Sequence, residues 1–207
     1  MSYDRDKAIA YAREHCNGWD TRQFPDYDSD SDSNTSDCAN FVSQCLHAGG
    51  AVMQRSDDNY ADWWCERQKK GKCWAGAQSL RLALKQNKIQ GISASSLPSP
   101  IGLKRGDIIF TPLREDRYKP KNNMRAGHVM MLAEDFVQDF ISVYQRGCPK
   151  EQRFAKKKPD ISNMIFYHIE GATVEESSQQ SNTLGDRLYS LEQRIDSIER
   201  IIKEMNL

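Results

Sequence analysis

The sequence contains no run of about eighteen apolar residues, which excludes a helix that spans a membrane. It has no excess of either charge. With 29 Lys and Arg against 29 Asp and Glu, no global field draws the chain to nucleic acid or to an anionic lipid surface. The first thirty residues show a basic start but no apolar stretch behind it, so no Sec-type signal is expected and synthesis in the cytoplasm is. For such a chain the six cysteines, Cys16, Cys38, Cys45, Cys65, Cys73 and Cys148, are expected as thiols, with Cys65 and Cys73 the pair most easily joined. Cys65 and Cys73 with His47 or His15 do not make a zinc spacing, and no cofactor is expected.

What remains is 207 residues, enough for one main domain and an appendage. Hydrophobic residues at 38% supply a core, whereas 28% charged residues and a mean hydropathy of -0.76 require long polar stretches elsewhere. Ala8, Ile9, Ala12 and Cys16 recur at helical spacing and predict an amphipathic helix from Tyr3 that ends at Asn17-Gly18. Residues 26–37 then form an acidic, Ser-rich loop. From Cys38, the residues Cys38, Phe41, Val42, Cys45 and Leu46 mark one face of a second helix, N-capped by Ser36 or Asp37 and closed by Gly49-Gly50. Ala77, Leu80 and Leu84 mark a third, after a region with Trp63, Trp64 and Trp74.

Beyond Pro98 and Pro100 the period changes to two. Strands are expected at Asp107–Thr111, His128–Ala133, Phe140–Gln145 and Met164–Ile169. Helices followed by a meander of strands predict an α+β fold, N-terminal helices packed on a small antiparallel sheet. A domain over 1–172 would be followed by a polar linker over 173–183. The last segment, 184–207, carries Leu184, Leu188, Leu191, Ile195, Ile198, Ile202 and Met205 in alternating steps of four and three, a heptad seam suited to self-association or to a partner helix.

The candidate chemistry starts at Cys38. A cysteine in the first turn of a helix sits where unpaired backbone N–H groups and the positive dipole end favour thiolate, so Cys38 is the candidate nucleophile. His128 opens a strand and is the candidate base. Gln145, on the next strand, can accept the other imidazole N–H as orienter. The oxyanion would meet the Cys38 backbone N–H and a second donor, for which Tyr27 is the candidate. Asp37 should oppose thiolate formation by like charge, and its carboxylate is expected to turn away and accept backbone N–H bonds. Trp74 with Trp63 and Trp64 could line a groove, although at least two of them are expected in the core.

Asp26, Asp28, Asp30, Asp32, Asn34 and Asp37 fall at positions 1, 3, 5, 7, 9 and 12 of a calcium-loop frame, but Ser31 stands where that loop needs glycine and Asp37 where it needs glutamate. A plain acidic loop is the simpler reading. Lys156–Lys158 reads as a solvated charge run.

The string SDCANFVSQCLHAGG resembles the signature of the amidase domain family among the NlpC/P60-like, papain-related cysteine hydrolases. LKRGDIIF, GHVMML, VYQRG and CWAGAQSLRLAL resemble that family's further segments, so the likeness runs from Tyr3 to Ile169 and leaves the heptad segment outside. The resemblance implies a papain-like core, Cys38 as nucleophile and His128 as base. The third polar position falls on Tyr144-Gln145-Arg146, where the histidine common in the family is absent and Gln145 takes its place.

It further implies cleavage of amide bonds in peptidoglycan peptides through a thioester. A cell-wall hydrolase without an export signal suggests delivery to a target cell's periplasm as an antibacterial toxin, with a delivery or immunity protein as partner. Two alternatives stand beside this: a cysteine acyltransferase or deamidase that uses the same residues on proteins, and a non-catalytic calcium-loop module with a coiled-coil tail.

Overall fold

A computed structural model describes residues 3–18, 23–25, 37–67, 69–137, 140–147, 152–155, 161 and 163–171. The chain divides into two units, Met1–Ala172 and Thr173–Leu207, and the described residues all belong to the first. Tyr27 with the rest of loop 26–36, Cys148, the 156–158 charge run, the linker and the heptad segment lie outside the described residues.

The described residues form an α+β fold of three α-helices, a two-stranded sheet and a six-stranded sheet. Helix α1 spans Arg5–His15, and Asp4 starts it by accepting the Lys7 N–H at 3.0 Å. Its buried residues are the Ala8, Ile9 and Ala12 that periodicity selects. Helix α2 spans Asp37–Ala48 and ends at Gly50, whose φ of 106° suits glycine. Gly49 is required for a different reason. A Cβ there would run into the Tyr3 ring and stand 3.1 Å from the Ala8 Cβ, so α1 and α2 approach closely only over glycine.

Helix α2 corrects the expectation of a single apolar face. Every residue from Asp37 to Leu46 is buried, including Asp37, Asn40, Ser43 and Gln44. It is a central helix, contacted by α1, by the third helix and by the sheet, and Asn40, Ser43 and Gln44 hydrogen-bond inside the protein.

Strands β1 (Cys65–Glu66) and β2 (Lys69–Lys70) form the small hairpin, followed by α3 (Ala77–Lys85). The main sheet contains β3 (Ile92–Leu97), β4 (Ile108–Pro112), β5 (Ala126–Leu132), β6 (Phe140–Tyr144), β7 (Gln152–Ala155) and β8 (Ile165–Gly171), in the order β3-β8-β4-β5-β6-β7 and antiparallel throughout. The four expected strands appear as β4, β5, β6 and β8. The meander holds only from β4 to β7, because β8 returns to pair with both β3 and β4. Strand β3 carries the sequence ISASSL, too polar to announce a strand. It forms as an edge, paired over its own full length with β8.

Period two on the sheet feeds two cores. Ile108, Phe110, Val129 and Met131 join the helices in the larger cluster, whereas Ile109, Met130, Leu132, Ile141, Val143 and Phe166 form a second cluster with Leu103. Asp107, fully buried before β4, ties α1 to the sheet. It accepts from Arg5 Nη1 at 2.6 Å, Lys104 N at 2.7 Å, Ile169 N at 3.0 Å and the His168 ring at 2.8 Å. No described helix is long and apolar enough to cross a membrane.

Candidate active site

Cys38 is the second residue of α2 and only 6% exposed. Its helix packs on β5, the strand that carries His128. Just before His128 the pairing of β4 with β5 slips by one residue: Thr111 pairs with His128 and Pro112 with Ala126, omitting Gly127. Such an irregularity bends a strand and re-aims the neighbouring side chain. Space is tight there, since a Cβ on Gly127 would stand 3.1 Å from the Leu113 backbone.

Strand β6 runs beside β5, with Met131 opposite Tyr144, and so delivers Gln145 to the same end of the sheet. His128 Nε2 lies 2.9 Å from Gln145 Oε1. A carboxamide oxygen can only accept, so Nε2 carries the hydrogen. In the neutral ring Nδ1 is then left with its lone pair available to a thiol. The Cys38 sulfur is within hydrogen-bonding reach of the ring. Burial pushes the His128 pKa down, but the hydrogen bond and charge of Cys38 and the bond to Gln145 outweigh it, and the net shift is upward. The three residues that sequence reasoning nominated are thus assembled at one place, in the order sulfur, imidazole, carboxamide.

The model of the family described as "Putative amidase domain" matches residues 2–147, which contain all three. The chain belongs to this family. The description denotes amide-bond hydrolysis in general. A relative from Bacillus subtilis (strain 168), the uncharacterized protein YhbB, is 36% identical over 109 residues, which is 53% of this chain and 32% of that protein, so the match spans about a third of its length. No solved structure matches the chain.

Hydrogen bonds inside the domain account for the polar residues of α2. Asn40 Oδ1 accepts from Trp74 Nε1 at 2.7 Å and from Gln44 Nε2 at 2.9 Å, while Asn40 Nδ2 donates to Asp37 Oδ1 at 2.9 Å and to the Pro25 carbonyl at 3.0 Å. Ser43 donates to the Trp74 carbonyl at 2.8 Å and accepts from Trp63 Nε1 at 3.0 Å. Gln44 Oε1 accepts from the Tyr11 hydroxyl at 2.7 Å. Trp74 is fully buried between Phe24, stacked with ring centroids 5.4 Å apart, and Trp63 at 4.9 Å. Trp74 therefore buttresses the helix that carries Cys38 and offers no surface to a substrate. Trp64 is half-buried, with the Arg55 guanidinium 4.0 Å over its ring.

Asn40 and Arg146 engage Asp37, and neither partner was foreseen. Besides Asn40, the guanidinium of Arg146 stands 2.5 Å from its carboxylate, the two side chains being 9% and 1% exposed. Arg146 also donates to the carbonyls of His15, at 2.8 Å, and Gly18. The sequence did hold a signal for the buried polar face. Asp37, Asn40, Ser43 and Gln44 share a helical stripe with no Lys, Arg or Glu, and a solvated face usually carries those residues.

Cys16, Cys45, Cys65 and Cys73 are buried thiols, and no disulfide joins any of the described cysteines. Burial pushes the Cys73 thiol up to about 12, and that of Cys45 well above its ordinary value. Both are protonated at neutral pH and chemically inert.

Proposed function

We propose that this protein is a cysteine hydrolase of amide bonds, with a papain-like arrangement of helix-borne cysteine and strand-borne histidine. The observation that carries the reading is the Cys38, His128 and Gln145 assembly, with the His128 pKa raised chiefly by Cys38. The family's amide-bond chemistry supports it.

In the proposed reaction the Cys38 thiol gives its proton to His128 Nδ1, and the sulfur attacks the amide carbon. The oxyanion of the tetrahedral intermediate faces the first turn of α2, where backbone N–H groups are directed. As the C–N bond breaks, the imidazolium protonates the leaving amine and a thioester remains on Cys38. Water, deprotonated by His128, then attacks the thioester, releasing the acid and restoring the thiol. Gln145 holds the ring in one tautomer through both halves.

The substrate proposed is a peptide of peptidoglycan, the class that the sequence resemblance implies. Digestion of purified peptidoglycan by the wild type and by Cys38→Ala tests it, with fragments identified by mass. New muropeptides that vanish in the variant establish both bond and nucleophile. No release by either protein, under reducing conditions, overturns the substrate. An alkylation-resistant Cys38 overturns the mechanism.

A further inference from the structure

The residue before the candidate nucleophile is an aspartate, and the residue after the candidate orienter is an arginine. The fold brings these two neighbours together: Asp37 and Arg146 form an ion pair at 2.5 Å with side chains 1% and 9% exposed. Arg146 is fixed from its other side by carbonyls at the end of α1, those of His15 and Gly18, and the next residue's N–H, that of Gly147, donates to the Cys16 carbonyl at 2.9 Å. Three chain segments therefore meet at one guanidinium: the end of α1, the start of α2 and the end of β6.

We infer that Arg146 is a positioning residue that acts electrostatically, neutralising the Asp37 carboxylate beside Cys38 and locking the nucleophile's helix to the strand end that carries Gln145. The inference rests on Cys38 being the nucleophile. A buried carboxylate one residue from the sulfur would disfavour thiolate by like-charge repulsion in a poorly screened site. Pairing it with a permanent cation removes that opposition while leaving its oxygen to hold Asn40.

Of the other charged or titratable groups described on elements packed against α2, Arg5 pairs with Asp107, Lys7 with Asp4 and Asp6 with Arg105. His128 on β5 is the candidate base. Arg13 Nε on α1 donates to the Tyr144 hydroxyl at 3.2 Å, and the His15 ring lies tilted against Tyr11, centroids 4.3 Å apart. Arg81 on α3 donates to the carbonyls of Met124 and Lys121. Arg146 is the cation placed on Asp37.

Iodoacetamide alkylation of the intact chain tests this, followed at the Cys38 peptide by mass spectrometry across pH. Arg146→Met, which leaves the carboxylate uncompensated, is expected to move the alkylation midpoint upward by about one pH unit, making the low-pH rate roughly tenfold slower. Arg146→Lys keeps the charge and is expected to keep the midpoint. The double variant Asp37→Asn with Arg146→Met removes both charges and is expected to return the midpoint to that of the wild type, even where the melting temperature has fallen.

An unchanged midpoint in all three variants, with only stability lost, would mean that the pair is structural and would overturn the electrostatic role. A wild-type Cys38 that titrates like an ordinary exposed thiol would overturn the nucleophile assignment itself, a result separable from the first. Where Arg146→Met does not fold, Asp37→Asn decides: it leaves the Arg146 cation uncompensated beside Cys38 and is expected to lower the midpoint, and an unchanged midpoint overturns the inference.

Discussion

His128 Nε2 and Gln145 Oε1 are 2.9 Å apart although seventeen residues separate them in the chain. The bond exists because β5 and β6 are adjacent and antiparallel, so that from Tyr144, paired with Met131, the chain runs on toward His128. It orients the ring, whereas the Cys38 contact sets which protonation state the ring prefers.

Gln145→Ala frees the ring to rotate and to change tautomer. We expect the rate of amide hydrolysis to fall by about a hundredfold with little change in KM, since a small misplacement of a reacting group has that effect. Gln145→Glu also accepts the Nε2 hydrogen and should retain more activity than the alanine variant. Steady-state kinetics on a defined peptide checks both.

The His128 pKa should fall when Cys38 is replaced by alanine. Burial lowers it and Cys38 is the largest influence raising it, so in Cys38→Ala the burial effect prevails. In the wild type the raised pKa stabilises the fold while the ring is protonated. That contribution is fully present below histidine's ordinary value of about 6.5 and is lost as pH rises through the raised folded value. NMR titration of the imidazole, with melting curves from pH 5 to 9, measures the shift and its linkage; a pKa unchanged between wild type and variant would contradict it.

Asn40→Leu preserves volume but removes the acceptor for two buried donors, Trp74 Nε1 and Gln44 Nε2. Each buried donor left without a partner costs roughly 1–3 kcal/mol, so a loss of about 3 kcal/mol is expected. Spread over a domain of this size, that lowers the melting temperature by about 6–12 °C. Asn40→Asp keeps that acceptor but sets a second buried carboxylate against Asp37 Oδ1, which Asn40 Nδ2 otherwise donates to, and should lose more. Thermal denaturation followed by circular dichroism separates the two.

Gly49→Ala places a methyl group against the Tyr3 ring and the Ala8 Cβ. Tyr3 cannot swing aside freely, because its hydroxyl donates to the Gly106 carbonyl at 3.0 Å. We expect about 1–3 kcal/mol of destabilisation from overpacking. Gly18, around which a Cβ would meet nothing, is the control position, and Gly18→Ala should leave the melting temperature nearly unchanged.

The sequence by itself determined the element types that carry clear periods: three helices, and β4, β5, β6 and β8. It also determined the candidate site, since a cysteine opening a helix and a histidine opening a strand are recognisable from position. Periodicity, however, reports only which side chains share a face of their own element. It is silent on what lies across that face. For this reason α2 read as amphipathic, whereas packing on two helices and a sheet buries its polar stripe as well and turns Asn40, Ser43 and Gln44 into supports for Trp63 and Trp74.

Tertiary structure alone decided that β8 enters beside β4, since strand pairing over some sixty residues has no local signal. It decided equally that Arg146 meets Asp37. Charges adjacent in space but 109 residues apart in sequence are joined by topology, and a sequence lists neighbours along the chain only.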